Sequence, residues 1–207
     1  MKVGIVNYGM GNLGSVRRAF DDLGATAFVA ENPSALYDAH RIVLPGVGSF
    51  GEGMARLQSG GWVDALQRVA GEGSRPLLGI CLGMQMLASE GAEGGQSRGL
   101  GLVKGSIRRL DTLGCTLRVP HVGWNEISFD GRDPLFAHIP QRADFYFVHS
   151  FAFVAAAESS VTGRADYGIP VVASVRRGAV FGTQFHPEKS SKAGRQLLRN
   201  FLDFKPC

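Results

Sequence analysis

The first half of the chain alternates short apolar runs with apolar positions at helical spacing. Val3-Gly4-Ile5-Val6 is an unbroken run of strand length. Behind it, Leu13, Val16, Ala19, Phe20 and Leu23 recur at the spacing of one helix face. Asn12 stands where its side chain can cap that helix, and Gly24 where a helix stops. Ala27-Phe28-Val29 and Arg41-Ile42-Val43-Leu44 read as strands, 62–69 as a helix, Pro76-Leu77-Leu78-Gly79-Ile80 as a buried strand and 82–89 as a further helix. From about residue 100 the pattern turns β-rich, with strands over Tyr146-Phe147-Val148, 170–175 and 179–185 before a last helix over 192–201. This rhythm predicts an α/β fold with a central, mostly parallel, twisted sheet flanked by helices, and a β-rich second half. No repeat, low-complexity tract or linker divides the sequence, so one domain over residues 1–207 is the economical reading.

Composition narrows the class. Apolar residues make up 44% of 207 residues, ordinary for a globular chain. Glycine is abundant at 29 residues, which points to tight turns and to backbone approaching a ligand closely. The net charge of +4 is carried by dispersed residues, Arg17-Arg18, Arg108-Arg109 and Arg176-Arg177 among them, and not by a clustered run. Nucleic-acid binding is therefore not expected, whereas docking to an acidic partner or a phosphorylated substrate fits the charge. Cys81, Cys115 and Cys207 are an odd count without paired spacing, and no Cys/His metal framework is present. No metal or cofactor is expected. No apolar run approaches the ~18 residues of a membrane span, and the sequence opens directly into a strand-like run. A reduced, cytoplasmic protein with no membrane association is the expectation.

The sharpest chemical signal is Gly79-Ile80-Cys81-Leu82-Gly83, where a strand gives way to a helix. This is the cysteine form of a strand-turn-helix nucleophile elbow. A tight turn lifts the sulfur clear of the sheet, and the flanking glycines remove Cβ atoms that would clash there. The helix N-terminus beyond Cys81 favours a thiolate, and the Leu82 N–H points where an oxyanion would form. The competing reading is a small buried core cysteine, the usual fate of a free thiol.

His186-Pro187-Glu188 follows the strand over 179–185. In an extended segment residues two apart share a side, so Glu188 can bond one imidazole nitrogen and leave the other for a thiol. That is the nucleophile, base and orienter logic of a catalytic triad. A surface histidine beside a solvated glutamate is the alternative. His40, His121, His138 and His149 are dispersed without metal-ligand spacing; His149 follows a strand and can line a pocket, while His40 and His138 read as surface or loop residues.

Together these residues resemble the class I, or triad, glutamine amidotransferases, a flavodoxin-like α/β family. The matching motifs are Gly79-Ile80-Cys81-Leu82-Gly83-Met84-Gln85 and Phe185-His186-Pro187-Glu188-Lys189-Ser190. Asn7-Tyr8-Gly9-Met10-Gly11-Asn12-Leu13, Leu44-Pro45-Gly46-Val47-Gly48-Ser49-Phe50, Pro120-His121-Val122-Gly123-Trp124-Asn125 and Tyr146-Phe147-Val148-His149-Ser150-Phe151 narrow the resemblance. They are similar to the glutaminase subunits of imidazole glycerol phosphate synthases, from the first strand to the last helix.

The resemblance implies that Cys81 attacks the glutamine amide to form a thioester, that His186 moves the protons, and that Glu188 orients His186. It implies a second oxyanion donor at Val47, and glutamine contacts from Gly46, Gly48, Gln85, Glu93, Ser150 and Phe151. It places Asn12 and Trp124 at an interface with a (β/α)8-barrel cyclase subunit that receives the ammonia; for Trp124, core packing is the open alternative. Asn7, Gly14 and Phe151 depart from the commonest family pattern, which has Asp, Arg and Tyr there. Asn7 and Gly14 lie near the expected partner face, so an ammonia donor to a sugar-amidating enzyme stays an alternative. A non-catalytic regulatory subunit and a thiol peptidase of related fold are others. The intact Cys81, His186 and Glu188 argue against the former, and the Gly46-Val47-Gly48 loop and Gln85 against the latter.

Overall fold

A computed structural model describes residues 1–206; Cys207 lies outside the described residues. Strands β1 (Lys2–Val6), β2 (Thr26–Ala30), β3 (Arg41–Gly46) and β4 (Leu77–Cys81) alternate with helices α1 (Leu13–Asp21), α2 (Phe50–Ser59) and α3 (Trp62–Glu72), and α4 (Leu82–Met86) follows β4 directly. Short strands β5 (Glu90–Gly91) and β6 (Ser97–Arg98) lead into β7 (Gly105–Arg109), β8 (His121–Phe129), β9 (Asp144–His149), β10 (Phe151–Ala155), β11 (Val161–Asp166), β12 (Pro170–Arg177) and β13 (Val180–Thr183). Helix α5 (Ser191–Asp203) is the last element.

Nine strands form one sheet in the order β2-β1-β3-β4-β13-β12-β11-β8-β9. The pairings from β2 through β13 are parallel, and those from β13 through β9 are antiparallel. The sheet is thus mixed, parallel where the early βα units build it and antiparallel where the later strands extend it. A second sheet, β10-β7-β5-β6, packs alongside.

The strand runs are continuous in apolar residues because both sheet faces are covered. Ile42 and Leu44 turn to one side, where α2, α3 and α4 supply Phe50, Leu57, Trp62, Leu66 and Met84. Val43, Leu78 and Ile80 turn to the other, where α1 and α5 supply Val16, Phe20, Leu197 and Phe201.

Two expected elements differ, and one helix is additional. The helix expected over 82–89 ends at Met86. The carbonyls of Met86, Leu87 and Ala88 accept instead from Leu100, Val103 and Gly101 N–H groups, so loop pairing takes over the helix ladder. The strand expected over 179–185 narrows to Val180–Thr183. Helix α2 was not anticipated; it buries Phe50, Gly53, Met54 and Leu57, a helical spacing diluted by glycines. No helix among the described residues is long and apolar enough to cross a membrane.

Candidate active site

Cys81 is the last residue of β4 and sits beside Gly46, the last residue of β3. Its backbone adopts φ 54°, ψ −110°, a region that costs a non-glycine residue ~1–3 kcal/mol and concentrates at functional sites. The turn fits only because of its neighbours. A Cβ on Gly83 would lie 1.7 Å from the Leu44 carbonyl oxygen, and one on Gly79 would lie 2.7 Å from the Gly83 carbonyl. The Cys81 sulfur is largely enclosed and approaches the Val148 carbonyl oxygen at 3.8 Å.

His186 leaves the sheet just beyond β13, its N–H donating to the Tyr146 carbonyl at 2.9 Å. Its Nδ1 lies 2.8 Å from Glu188 Oε1, with both side chains buried. His186 Nε2 and Glu188 Oε2 have no hydrogen-bond partner. Burial works against a charged imidazole, but Cys81 and Glu188 outweigh it and raise the His186 pKa to about 9. The Cys81 sulfur faces the imidazole closely enough to favour its proton by hydrogen-bonding attraction as well as charge, although Nε2 makes no closed hydrogen bond. At neutral pH the imidazole holds its proton, the state that a thiolate–imidazolium pair needs.

These groups border a cavity of about 320 Å3, near the lower end of ordinary small-molecule pockets. Val47, Gly48, Cys81, Leu82, Gln85, Glu93, Ser150, Phe151 and His186 all line it. A larger cleft, about 740 Å3 between Lys104, Asp133 and Arg176, has neither cysteine nor histidine in its lining and does not include Cys81.

Individual placements refine the expectations. Gly46 does not line the cavity. A Cβ there would meet the Tyr8 hydroxyl at 2.3 Å and Leu82 Cβ at 2.9 Å, so the glycine serves close packing of β3 against the start of α4. Val47 is 45% exposed on the loop after β3, and Leu82 opens α4. Glu93 does more than border the cavity, because its Oε2 accepts from the Phe50 N–H at 2.7 Å. A carboxylate there caps α2, whose own N-cap Ser49 makes no side-chain cap bond. Gln85 Nε2 donates to the Phe151 carbonyl and to Gln184 Oε1, both at 3.0 Å.

Asn12 and Trp124 lie outside the cavity. Asn12 caps α1, accepting from the Ser15 N–H at 3.2 Å. Trp124 is 54% exposed on β8, edge-on to its cross-strand neighbour Tyr146, so core packing does not explain it. With Val122 and Val148 it forms an exposed apolar patch, and Val148 reaches the cavity rim. His40 and His138 are exposed, as expected.

Two features were not anticipated. His149 lines the cavity as expected, and the unforeseen feature is its pairing with buried His121 at 3.0 Å, its cross-strand partner. The Phe151 carbonyl can only accept, so His149 donates to it from Nδ1 at 2.8 Å. His149 Nε2 then accepts from His121 Nδ1, and His121 Nε2 accepts from Asn125 Nδ2 at 3.3 Å. Burial lowers the pKa of His121 to about 4 and that of His149 to about 3, so both stay neutral near pH 7. The second feature is Gln184, fully buried beside Cys81. The extended segment expected to join His186 to Glu188 is instead a tight 3-10 turn over Pro187–Lys189, and Gln184 lies in the bend between β13 and that turn. His121 carries no local signal. Among the described residues no His, Cys, Asp and Glu cluster is arranged to hold a metal.

Comparison with known proteins agrees with this architecture. The glutamine amidotransferase class-I family profile matches residues 5–204. The imidazole glycerol phosphate synthase subunit HisH of Moorella thermoacetica is 48% identical, covering 96% of this chain and 93% of that protein. Subunit HisH 1 of Campylobacter jejuni strain 81-176 is 44% identical, covering 96% and 98%. Among solved structures, that of PurLQS from Thermotoga maritima superposes with a TM-score of 0.77 over 98% of this chain and 97% of that chain, at 20% identity, and shares the fold. Near-complete coverage at such identity leaves one assignment: the chain belongs to the class-I glutamine amidotransferases, in the branch of the imidazole glycerol phosphate synthase HisH subunits.

Proposed function

We propose that this chain, as a glutaminase subunit, hydrolyses L-glutamine at the Cys81 cavity. Its ammonia passes to a (β/α)8-barrel cyclase docked over the same end of the sheet, where it is used to form imidazole glycerol phosphate. The observation that carries the reading is the buried His186–Glu188 pair at 2.8 Å, whose free imidazole nitrogen stands beside a cysteine on a strained elbow. We read the protein as one amidotransferase domain acting in the cytoplasm, without nucleic acid or membrane.

The steps follow from the groups present. The Cys81 thiolate attacks the side-chain amide carbon, forming a tetrahedral adduct whose oxyanion faces the Leu82 and Val47 backbone N–H groups. His186 gives its Nε2 proton to the departing nitrogen, the C–N bond breaks, and ammonia leaves a glutamyl thioester. His186, now neutral, takes a proton from water as the water attacks the thioester carbon. Collapse releases glutamate and restores the thiolate–imidazolium pair. Glu188 fixes the imidazole's tautomer throughout. Gln85, Glu93, Ser150 and Phe151 surround the substrate's α-amino and α-carboxylate end, and Gly48 shapes the loop opposite.

Partner control fits the placement of Val47. A single misdirected oxyanion donor costs ~3–4 kcal/mol of transition-state stabilisation, or ~10²–10³ in rate. Val47 sits on an exposed loop ending at Gly48, whose φ of 112° belongs to glycine territory. Val148 of the Trp124 patch borders the same cavity as Val47, and Gly11 beside Asn12 packs against Pro45 and Gly46, so docking at these positions can bias that loop. The test is glutamate release by the chain alone, then with the cyclase and its nucleotide ligand. A low basal rate, a rise of about 10² or more in the complex, and no turnover by Cys81→Ala are expected. Full turnover by Cys81→Ala would refute the assignment.

A further inference from the structure

Gln184 follows β13 and is fully buried, with its backbone N–H donating to the Ala173 carbonyl at 2.8 Å. Burying an amide side chain is unfavourable unless both its ends are bonded. One end is accounted for, because Gln184 Oε1 accepts from Gln85 Nε2 at 3.0 Å. At the other end, Nε2 faces the Cys81 sulfur at 3.8 Å, and no other hydrogen bond of that group occurs among the described residues.

The orientation is dictated by chemistry. The Phe151 carbonyl can only accept, so the Gln85 atom 3.0 Å from it is the amide nitrogen. That nitrogen's second hydrogen meets Gln184, so the facing atom is the Gln184 carbonyl oxygen. Only the Gln184 NH2 is left for Cys81. His149 Nδ1, donating to the same Phe151 oxygen, closes the far end of the chain.

We propose that Gln184 donates a hydrogen bond directly to the Cys81 thiolate and is held in that orientation by Gln85. The neutral thiol can use its proton on the Val148 carbonyl; the ionised sulfur cannot, and Gln184 offers it a donor. A bond to a charged acceptor is stronger than its neutral counterpart, so the contact favours the thiolate over the thiol. Gln85 thereby takes a second part: it borders the glutamine cavity and sets the nucleophile's environment through one amide. The titratable groups facing Cys81 are His186 beyond β13, Tyr8 after β1, and His149 and Glu93 across the cavity. The proposal rests on Cys81 being the nucleophile.

The test uses the full chain with the cyclase partner. Iodoacetamide alkylation of Cys81 is followed against pH in the native protein and in Gln184→Met, which keeps side-chain length and removes the donor. The variant is expected to react about tenfold more slowly at pH 7, the yield of ~1.4 kcal/mol lost by the thiolate, and to catch up at high pH. Should Gln184→Met not fold, the native chain carries the test by NMR. The Gln184 side-chain amide proton is expected to shift as Cys81 ionises, and not to shift over the same range in Cys81→Ala. An unmoved alkylation profile, or an amide resonance indifferent to Cys81, overturns the proposal. If these fail while Cys81→Ala is inactive, only this inference falls. Glutamine turnover by Cys81→Ala removes the catalytic reading and this proposal with it.

Discussion

Replacing Glu188 with Gln isolates what one buried carboxylate gives the base. The His186 pKa stands at about 9 against an ordinary 6.5, and 9 − 6.5 is about 2.5 pH units. At ~1.36 kcal/mol per unit, that is about 3 kcal/mol in favour of the imidazolium. Because burial opposes this shift, Cys81 and Glu188 together supply at least that much. If Glu188 supplies about half, its amide replacement removes ~1.5–2 kcal/mol and lowers the pH at which His186 releases its proton by about one unit. An amide oxygen can still accept from Nδ1, so the tautomer survives in one of two amide orientations. The cost should therefore fall short of the ~10⁴ seen when a triad is left with the wrong tautomer. At ~1.36 kcal/mol per tenfold, the same ~1.5–2 kcal/mol corresponds to a fall in kcat of about 10- to 30-fold with KM changed by less than about threefold, a loss confined to the chemical step. The assay is steady-state glutamate release by the complex across pH, where the alkaline limb should move to lower pH. A kcat within about threefold of native and an unmoved limb would refute the triad reasoning.

Stability should fall between pH 7 and pH 5. The folded-state pKa values of His121 and His149 lie below the unfolded ~6.5, so their contribution is complete above that value and is lost as pH falls toward about 4 and 3. His186 has the opposite sign, its contribution complete below ~6.5 and lost as pH rises toward about 9. Two depressed groups against one raised group leave a net loss of about 3 kcal/mol, to be read from urea unfolding at the two pH values; equal stability would contradict the buried neutral pair. Gly83→Ala should abolish folding or cost more than ~3 kcal/mol, because the new Cβ meets the Leu44 carbonyl oxygen at 1.7 Å. Gly71→Ala, in α3 with nothing within 4 Å, should raise stability by roughly 0.5 kcal/mol, and thermal melts of both variants decide. Trp124→Ala should leave the melt unchanged and weaken cyclase binding by ~2 kcal/mol or more in calorimetry, since the ring is exposed on the monomer; unchanged affinity would place the interface elsewhere.

What the sequence disclosed was local. The run from Leu77 to Cys81 and the glycines around it describe a buried strand and an elbow, because a two-residue period and missing Cβ atoms are written into adjacent positions. Glu188 meets His186 because it is close in sequence, but through a tight turn over Pro187–Lys189 and not through the extended segment expected there. What stayed hidden depends on register and on distant segments. His121 and His149 are 28 residues apart and meet only because β8 and β9 pair antiparallel at those positions. Helix α2 went unread because Gly51 and Gly53 thin its apolar face, although Phe50, Met54 and Leu57 keep the period. Glu93 reaches across to the Phe50 N–H, a cap supplied from 43 positions away that no local motif announces. Gly46 carries a constraint its motif does not announce: it lies against α4, where its lack of a side chain admits the backbone.

The central claim is that the Cys81 sulfur carries the glutamyl group during turnover. The complex can be quenched in acid while turning over glutamine, digested, and its peptides weighed by mass spectrometry. A glutamyl adduct on the peptide that contains Cys81, absent from the Cys81→Ala protein, is the predicted result. An adduct on the Cys115 or Cys207 peptide, or continued turnover without Cys81, would contradict the account.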